Sequence, residues 1–253
     1  MSKGIYKISA ISPKIKVADV RENCKEIINM IDKAKKENAE IIVFPELCLC
    51  GATCGDLFLQ EALIEACNSG VRNICQATKD YFGYVVIGAP IQKDGNLFNC
   101  GLVIHKGKVV CNVAKRNLSL EEKRWFEKGN EFEYDNSTQL PFTLVIGENN
   151  FKNIDSDFIV NISAIGSEVT KYKRFKNYIE SLGCGYVYAS AGAGESTTDA
   201  VYSGACIIAE NGKILAEGKR YSFESEMINT EINTENCYAT LNSNNINIEK
   251  INE

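Results

Sequence analysis

Four apolar residues, Ile41-Ile-Val-Phe44, run directly into Pro45 and a carboxylate, Glu46, and that junction constrains the chain more than any other stretch. A short apolar run closed by a turn residue suits a strand covered on both faces, which requires a sheet with a layer on each side. In open α/β sheets reactive groups collect just past the strand ends, where Glu46 would stand. Glu46 is therefore the first candidate for chemistry, although a strand-end carboxylate that merely faces solvent carries the same signature.

The flanking segments supply the layers. Ile5 to Ile11 reads as a short strand. Val17 to Lys36 reads as a one-sided helix, with Val17, Val20, Cys24, Ile27, Ile28, Ile31 and Ala34 on one face, Asp19 and Glu22 as a capping box, and Lys33, Lys35 and Lys36 at its C-terminal end. Two helical pieces follow between Asp56 and Lys79, separated at Asn68-Ser-Gly70. Tyr84 to Pro90 is a second buried strand, and Leu97–Ile104 with Lys108–Val113 forms a hairpin across His105-Lys-Gly-Lys108. Lys115 comes just after it, a second charge at a strand end that in isolation reads as solvated surface.

Further strands are expected from Gln139 to Ile146, Asp157 to Ala164, Tyr186 to Ala191 and Met227 to Ile232, with a helix from Lys171 to Leu182. Glu210-Asn-Gly-Lys213 joins Ala205–Ala209 to Lys213–Lys219, since Asn-Gly favours a type I′ turn. Helices between strands, together with hairpins, predict a layered α/β sandwich. With 253 residues, 45% of them apolar, and no repeat, linker or composition shift, residues 1–253 read as one domain.

Charge and cysteine usage narrow the function. A net charge of -5, without long runs of one sign, offers no electrostatic capture of nucleic acid or anionic membrane. No apolar run is long enough for a membrane span or a signal peptide, so the chain reads as cytoplasmic. The eleven cysteines are odd in number and sit mostly in apolar stretches, as at Cys24, Cys100, Cys111, Cys184 and Cys206, and read as reduced core thiols. Cys48, Cys50 and Cys54 form a C-x-C-x3-C cluster, but with His105 as the only histidine and no second pair at zinc spacing, no metal is expected.

Several short motifs then fall in one order: Val43-Phe-Pro-Glu-Leu47, Thr53-Cys-Gly-Asp-Leu-Phe58, Glu122-Lys-Arg-Trp-Phe126, Asn161-Ile-Ser-Ala164, Tyr186-Val-Tyr-Ala-Ser190 and Gly194-Glu-Ser-Thr-Thr-Asp199. As an ordered set spanning nearly the whole chain, they resemble the nitrilase, or carbon-nitrogen hydrolase, superfamily, and within it the glutamine amidase domain of glutamine-dependent NAD synthetases. The resemblance implies an α-β-β-α four-layer sandwich, a homo-oligomer or partner protein, no cofactor, and a Glu-Lys-Cys triad acting on a small amide. In that chemistry a thiolate attacks the carbonyl, the glutamate moves protons and the lysine stabilises the oxyanion.

Carried over by position, Glu46 takes the base, Lys115 the oxyanion-side lysine and Glu122 the auxiliary glutamate. The nucleophile is missing: Phe142-Thr-Leu-Val-Ile146 leads into Gly147-Glu-Asn-Asn-Phe151, with Gly147 where the family has cysteine. The family's pocket tyrosine is Ala52, its Asp after Cys-Glu is Asn149, and the segment before Asn161 is shortened to Lys152-Asn-Ile-Asp-Ser156. Ala52, Phe151 and Ser163 are the expected pocket residues. The favoured expectation is a nitrilase-fold pseudoenzyme that binds a small ligand or a partner chain, because losing a nucleophile costs on the order of a millionfold in rate. The alternatives are an active amidohydrolase in which Glu46 activates water beside Lys115, and one domain of, or decayed from, a bifunctional synthetase. The chain carries neither G-x-G-x-x-G nor Ser-Gly-Gly-x-Asp, so nucleotide chemistry is not expected within it. A substitute nucleophile from Cys48, Cys50 or Cys54 would have to place its sulfur within a narrow geometry.

Overall fold

The computed structural model describes residues 4–129, 133–134, 140–147, 156–168 and 170–237. In chain order its elements are β1 (Ile5–Ser12), α1 (Val20–Lys36), β2 (Ile41–Val43), α2 (Glu61–Ala77), β3 (Tyr84–Lys93), β4 (Asn96–His105), β5 (Lys108–Ala114), β6 (Glu133–Tyr134), β7 (Thr143–Ile146), β8 (Phe158–Ser163), α3 (Lys171–Glu180), β9 (Gly185–Ser190), β10 (Cys206–Glu210), β11 (Lys213–Glu217) and β12 (Glu226–Asn233). Two sheets form. The first runs β12-β1-β2-β3-β4-β5-β6 and the second β11-β10-β9-β8-β7. β1, β2 and β3 are mutually parallel, as are β7, β8 and β9, while the hairpin strands are antiparallel.

Strand periodicity separates three cores. Along β2, Ile41 and Val43 face the second sheet while Ile42 faces α1 and α2; along β3, Tyr84 and Val86 point inward while Val85, Ile87 and Ala89 point to the helices. Val160, Ile162, Val187 and Ala189 close the space between the sheets. Ile159, Tyr186 and Ile207 turn the other way, onto Phe175 and Ile179 of α3. The result is the α-β-β-α four-layer sandwich, with the Ile41–Val43 strand covered on both faces as its composition predicts.

The expected boundaries move in four places. α1 begins at Val20, not Val17, because Ala18 takes a left-handed φ of 63° and the Asp19 carboxylate accepts the Glu22 N–H at 3.2 Å. Asn68-Ser-Gly70 does not interrupt α2. A Cβ on Gly70 would stand 3.1 Å from Leu49 and 3.2 Å from Val20, so this glycine lets the helix lie close to its neighbours. β3 extends to Lys93 and makes a hairpin with β4 around Asp94-Gly95, a turn the sequence reading passed over. The strand expected from Gln139 is four residues, Thr143–Ile146, with Gln139 outside the described residues. Asn211 and Gly212 carry φ of 48° and 74°, as a type I′ turn requires.

All eleven cysteines are free, and all except Cys75 are buried. Phe126 packs edge-on to Phe58 at 4.8 Å within the helix-side core, and Trp125 donates its indole N–H to Asp56 at 2.9 Å. No helix among the described residues is long and apolar enough to cross a membrane.

Candidate functional site

Glu46 is held in place by the backbone on either side of it. Phe44 N–H donates to Val86 O at 2.9 Å, Gly88 N–H to Pro45 O at 3.1 Å and Leu49 N–H to Gly88 O at 3.4 Å, so the chain leaving β2 stays laced to β3 past Glu46. A Cβ on Gly88 would lie 2.2 Å from the Leu47 nitrogen and 2.5 Å from the Glu46 Cα, so glycine is required for this approach. The Glu46 side chain is completely buried between the sheets. Lys115 enters from the end of β5, its N–H donating to Asn99 O at 2.8 Å and its carbonyl accepting from Gly129 N at 2.9 Å. Neither charge faces solvent, contrary to what each would suggest alone.

The two side chains meet. Lys115 Nζ donates to Glu46 Oε1 at 2.6 Å and to Glu122 Oε1 at 2.7 Å. Asn99 Nδ2 donates to Glu46 Oε1 at 2.6 Å and reaches Glu122 Oε1 at 3.5 Å. Ala164 N–H, from the end of β8, donates to Glu46 Oε2 at 2.8 Å and brings the second sheet into the site. Glu122 opens a single 3-10 turn, where Ser119 Oγ accepts its N–H at 3.1 Å and its Oε2 accepts Ser119 N–H at 2.8 Å. That reciprocal pair is a capping box, which aims the other carboxylate oxygen at Lys115.

Burial by itself would push the Lys115 ammonium toward the neutral amine, but the charges and hydrogen bonds of Glu46 and Glu122 outweigh it and raise its pKa. For Glu122 burial pulls upward, yet the Lys115 charge and hydrogen bond win and lower it. Lys115 is thus a fixed cation. It can hold a developing oxyanion, and it has no free lone pair with which to attack a carbonyl.

Gly147 closes the constellation. It follows β7 with its N–H donating to Ile162 O at 2.8 Å, and its φ is +59°. A Cβ built there would lie 2.9 Å from Lys115 Cε, 3.0 Å from Lys115 Nζ and 3.3 Å from Glu46 Oε2. The structure therefore gathers Glu46, Lys115, Glu122 and Gly147 at one point, with no side chain at the fourth position.

The other expected residues are placed differently. Ala52 is half-buried and donates its N–H to Glu195 Oε2 at 2.7 Å. Ser163 is buried at the end of β8, where its hydroxyl accepts Ile165 N–H at 3.3 Å; its neighbour Ala164 makes the contact with Glu46. Glu148, Asn149, Phe151 and residues 152–155 lie outside the described residues. The thiols of Cys48, Cys50 and Cys54 turn to the backbone carbonyls of Gly88 (3.6 Å), Leu47 (3.7 Å) and Cys50 (3.1 Å), in the helix-side core. None hydrogen-bonds to Glu46 or Lys115 among the described residues. No group of three or more His, Cys, Asp or Glu side chains there could hold a metal.

Asn99 and the Ala164 amide bond to Glu46, and Glu195 holds the loop that leaves it; Ala164 and Glu195 stand in the motifs Asn161–Ala164 and Gly194–Asp199 but had no role assigned from sequence, and Asn99 was not singled out. Asn99 left a trace: it is a polar residue on the inward face of β4, alternating with Gly101 and Val103. Its Oδ1 is buried and has no hydrogen-bond partner among the described residues.

A two-sheet sandwich with a buried Glu-Lys-Glu cluster where β2, β5 and β8 end defines the nitrilase-like class. The chain belongs to the carbon-nitrogen hydrolase family, whose model matches residues 7–183. It is 28% identical over 273 residues to the glutamine-dependent NAD(+) synthetase of Mycobacterium leprae, an alignment covering 92% of this chain and 40% of that protein. The solved glutamine-dependent NAD(+) synthetase from Cytophaga hutchinsonii superposes with a TM-score of 0.78 at 25% identity, over 90% of this chain and 43% of that one. An amidase mutant from Nesterenkonia sp. AN1, carrying the acetamide moiety of fluoroacetamide at its active-site cysteine, shares the fold with a TM-score of 0.74 at 14% identity, over 93% of both chains. The chain thus resembles the glutamine amidase domain and spans about 40% of the length of the synthetase relatives it matches.

Proposed function

We propose that this chain is a non-hydrolysing glutamine-amidase-like domain, 1–253, that binds a small amide-like molecule at the Glu46–Lys115 site and acts in a homo-oligomer or with a partner protein in the cytoplasm. The observation that carries this reading is the position of Gly147. The direction its side chain would take runs to within 3.0 Å of the ammonium and 3.3 Å of the carboxylate, where the family's chemistry needs the attacking sulfur. Base, oxyanion cation and auxiliary acid are present as Glu46, Lys115 and Glu122. The acyl-accepting atom is not, and without it the acyl-enzyme cannot form.

The test is ammonia release from glutamine and asparagine by the purified protein and by Gly147→Cys. The reading expects silence from the first and measurable release from the second. Appreciable release by the unaltered protein would overturn it. A Gly147→Cys variant that folds and stays silent would show that the pocket no longer accepts an amide.

The second reading is direct hydrolysis, with Glu46 activating water and Lys115 holding the oxyanion. The intact 2.6 Å pair supports it. It requires turnover of a simple amide or nitrile that disappears in Glu46→Gln; turnover indifferent to that change removes it.

A further inference from the structure

Glu195 is a buried carboxylate that the site's chemistry leaves unused. It lies in the 3-10 turn Ala193–Glu195 after β9, is 1% exposed, and has no salt bridge among the described residues. Its Oε2 accepts Ala52 N–H at 2.7 Å and its Oε1 accepts Gly192 N–H at 3.3 Å, while its backbone carbonyl accepts Thr53 Oγ1 at 2.8 Å. Ala52 and Thr53 belong to the loop that begins at Glu46, so one side chain ties that loop to a turn some 140 residues further along the chain. Gly51 packs alongside, with a built Cβ 3.5 Å from Oε2.

We propose that Glu195 is a positioning residue for the loop that leaves Glu46, a clasp at Ala52 whose grip depends on its proton. Ionised, its two oxygens each accept a backbone N–H, and such charge-assisted bonds are about twice as strong as neutral ones. Protonated, one oxygen carries a hydrogen and its hold on a facing N–H weakens. The titratable groups close enough to act on it electrostatically are Glu46 from the end of β2, Cys48 and Cys54 from the loop, and Tyr202 ahead of β10; none of these is a cation. Burial above all, with the Glu46 charge adding to it, pushes the Glu195 carboxyl up to about 7 against the two backbone hydrogen bonds. The loop at Ala52 is accordingly held firmly above neutral pH and loosened below it. This deepens the reading of the site as a ligand pocket and rests on that reading for its consequence, though not for its test.

The experiment is a pH titration of the full chain followed by amide resonances. Ala52 and Gly192 N–H should shift downfield together as pH rises, with one shared midpoint near 7, and Glu195→Gln should abolish the midpoint. The Ala164 N–H, which reports on Glu46, serves as the internal control. Different midpoints for Ala52 and Gly192, no titration of either, or a midpoint that persists in folded Glu195→Gln would each overturn the proposal. So would the same midpoint at Ala164, which would move the effect to Glu46. Should Glu195→Gln fail to fold, the three wild-type amides still decide. None of these readouts needs a ligand or turnover, so ammonia release by the protein would remove the functional reading and leave this one standing.

Discussion

Glu46 Oε1 and Lys115 Nζ lie 2.6 Å apart and both are buried, with Glu122 holding the same ammonium from the other side at 2.7 Å. Removing one member of such a pair strands a buried charge, which costs about 3–5 kcal/mol. Lys115→Met keeps most of the volume and leaves Glu46 and Glu122 facing each other unpaired, so it should lose stability in that range by urea denaturation. Adding Glu46→Gln should recover a large part of the loss, because the two changes share one interaction. A Lys115→Met protein within about 1 kcal/mol of wild type would show that the cluster does not hold the sheets together.

Gly147→Ala probes the empty position directly. A left-handed φ of +59° costs a residue with a Cβ about 1–2 kcal/mol, and the new methyl must also displace the end of Lys115 from 2.9 Å. The lysine end is flexible, so the backbone cost should dominate and the melting temperature should fall by a few degrees. No loss of stability would mean that the backbone at 147 is free to rearrange.

The places where sequence reading succeeded and failed share a cause. Ile41–Phe44 was legible because a strand covered on both faces must be apolar at every position, a local signature that also located Glu46. Glu122 was legible through its order among the motifs, and Ser119-x-x-Glu122 is a capping signal that spacing alone could have supplied. Lys115 carried no such mark, since a lysine buried between two carboxylates looks the same in sequence as one in water. Asn99, Ala164 and Glu195 act across 53, 118 and 143 residues of chain, and only the closed sandwich brings them to their partners. Asn68-Ser-Gly70 misled for the complementary reason: a local breaker signal lost to the packing of α2 against Leu49 and Val20.

Gly88→Ala should be among the most damaging single changes in the protein. The added Cβ would sit 2.2 Å from the Leu47 nitrogen and 2.5 Å from the Glu46 Cα, and backbone cannot swing aside as a side-chain end can. Overpacking costs typically about 1–3 kcal/mol and more where backbone must shift. Gly95→Ala is the matched control, with open space around its Cβ and a left-handed φ of +81°, and should lose only about 1–2 kcal/mol. Equal losses in the two variants would mean that the close approach beside Glu46 is not needed.

The pH dependence of folding should carry the mark of Glu195. Its carboxyl is held at about 7 in the folded chain, against about 4.3 for a glutamate in water. Between those values the folded state binds a proton that the unfolded state has released, so stability falls as pH rises. The contribution is fully present below about pH 4.3 and lost by the time pH has passed 7, a change of about 3–4 kcal/mol for a shift of this size. Glu122 acts oppositely and only in acid: its lowered pKa adds stability that is present above the ordinary carboxylate value and lost as pH falls through the folded one. Urea denaturation at pH 5, 6, 7 and 8 should therefore show wild type weakening from pH 5 to 7 and levelling off by pH 8, while Glu195→Gln, which cannot ionise, changes much less. Parallel curves for the two proteins would place the titrating group elsewhere.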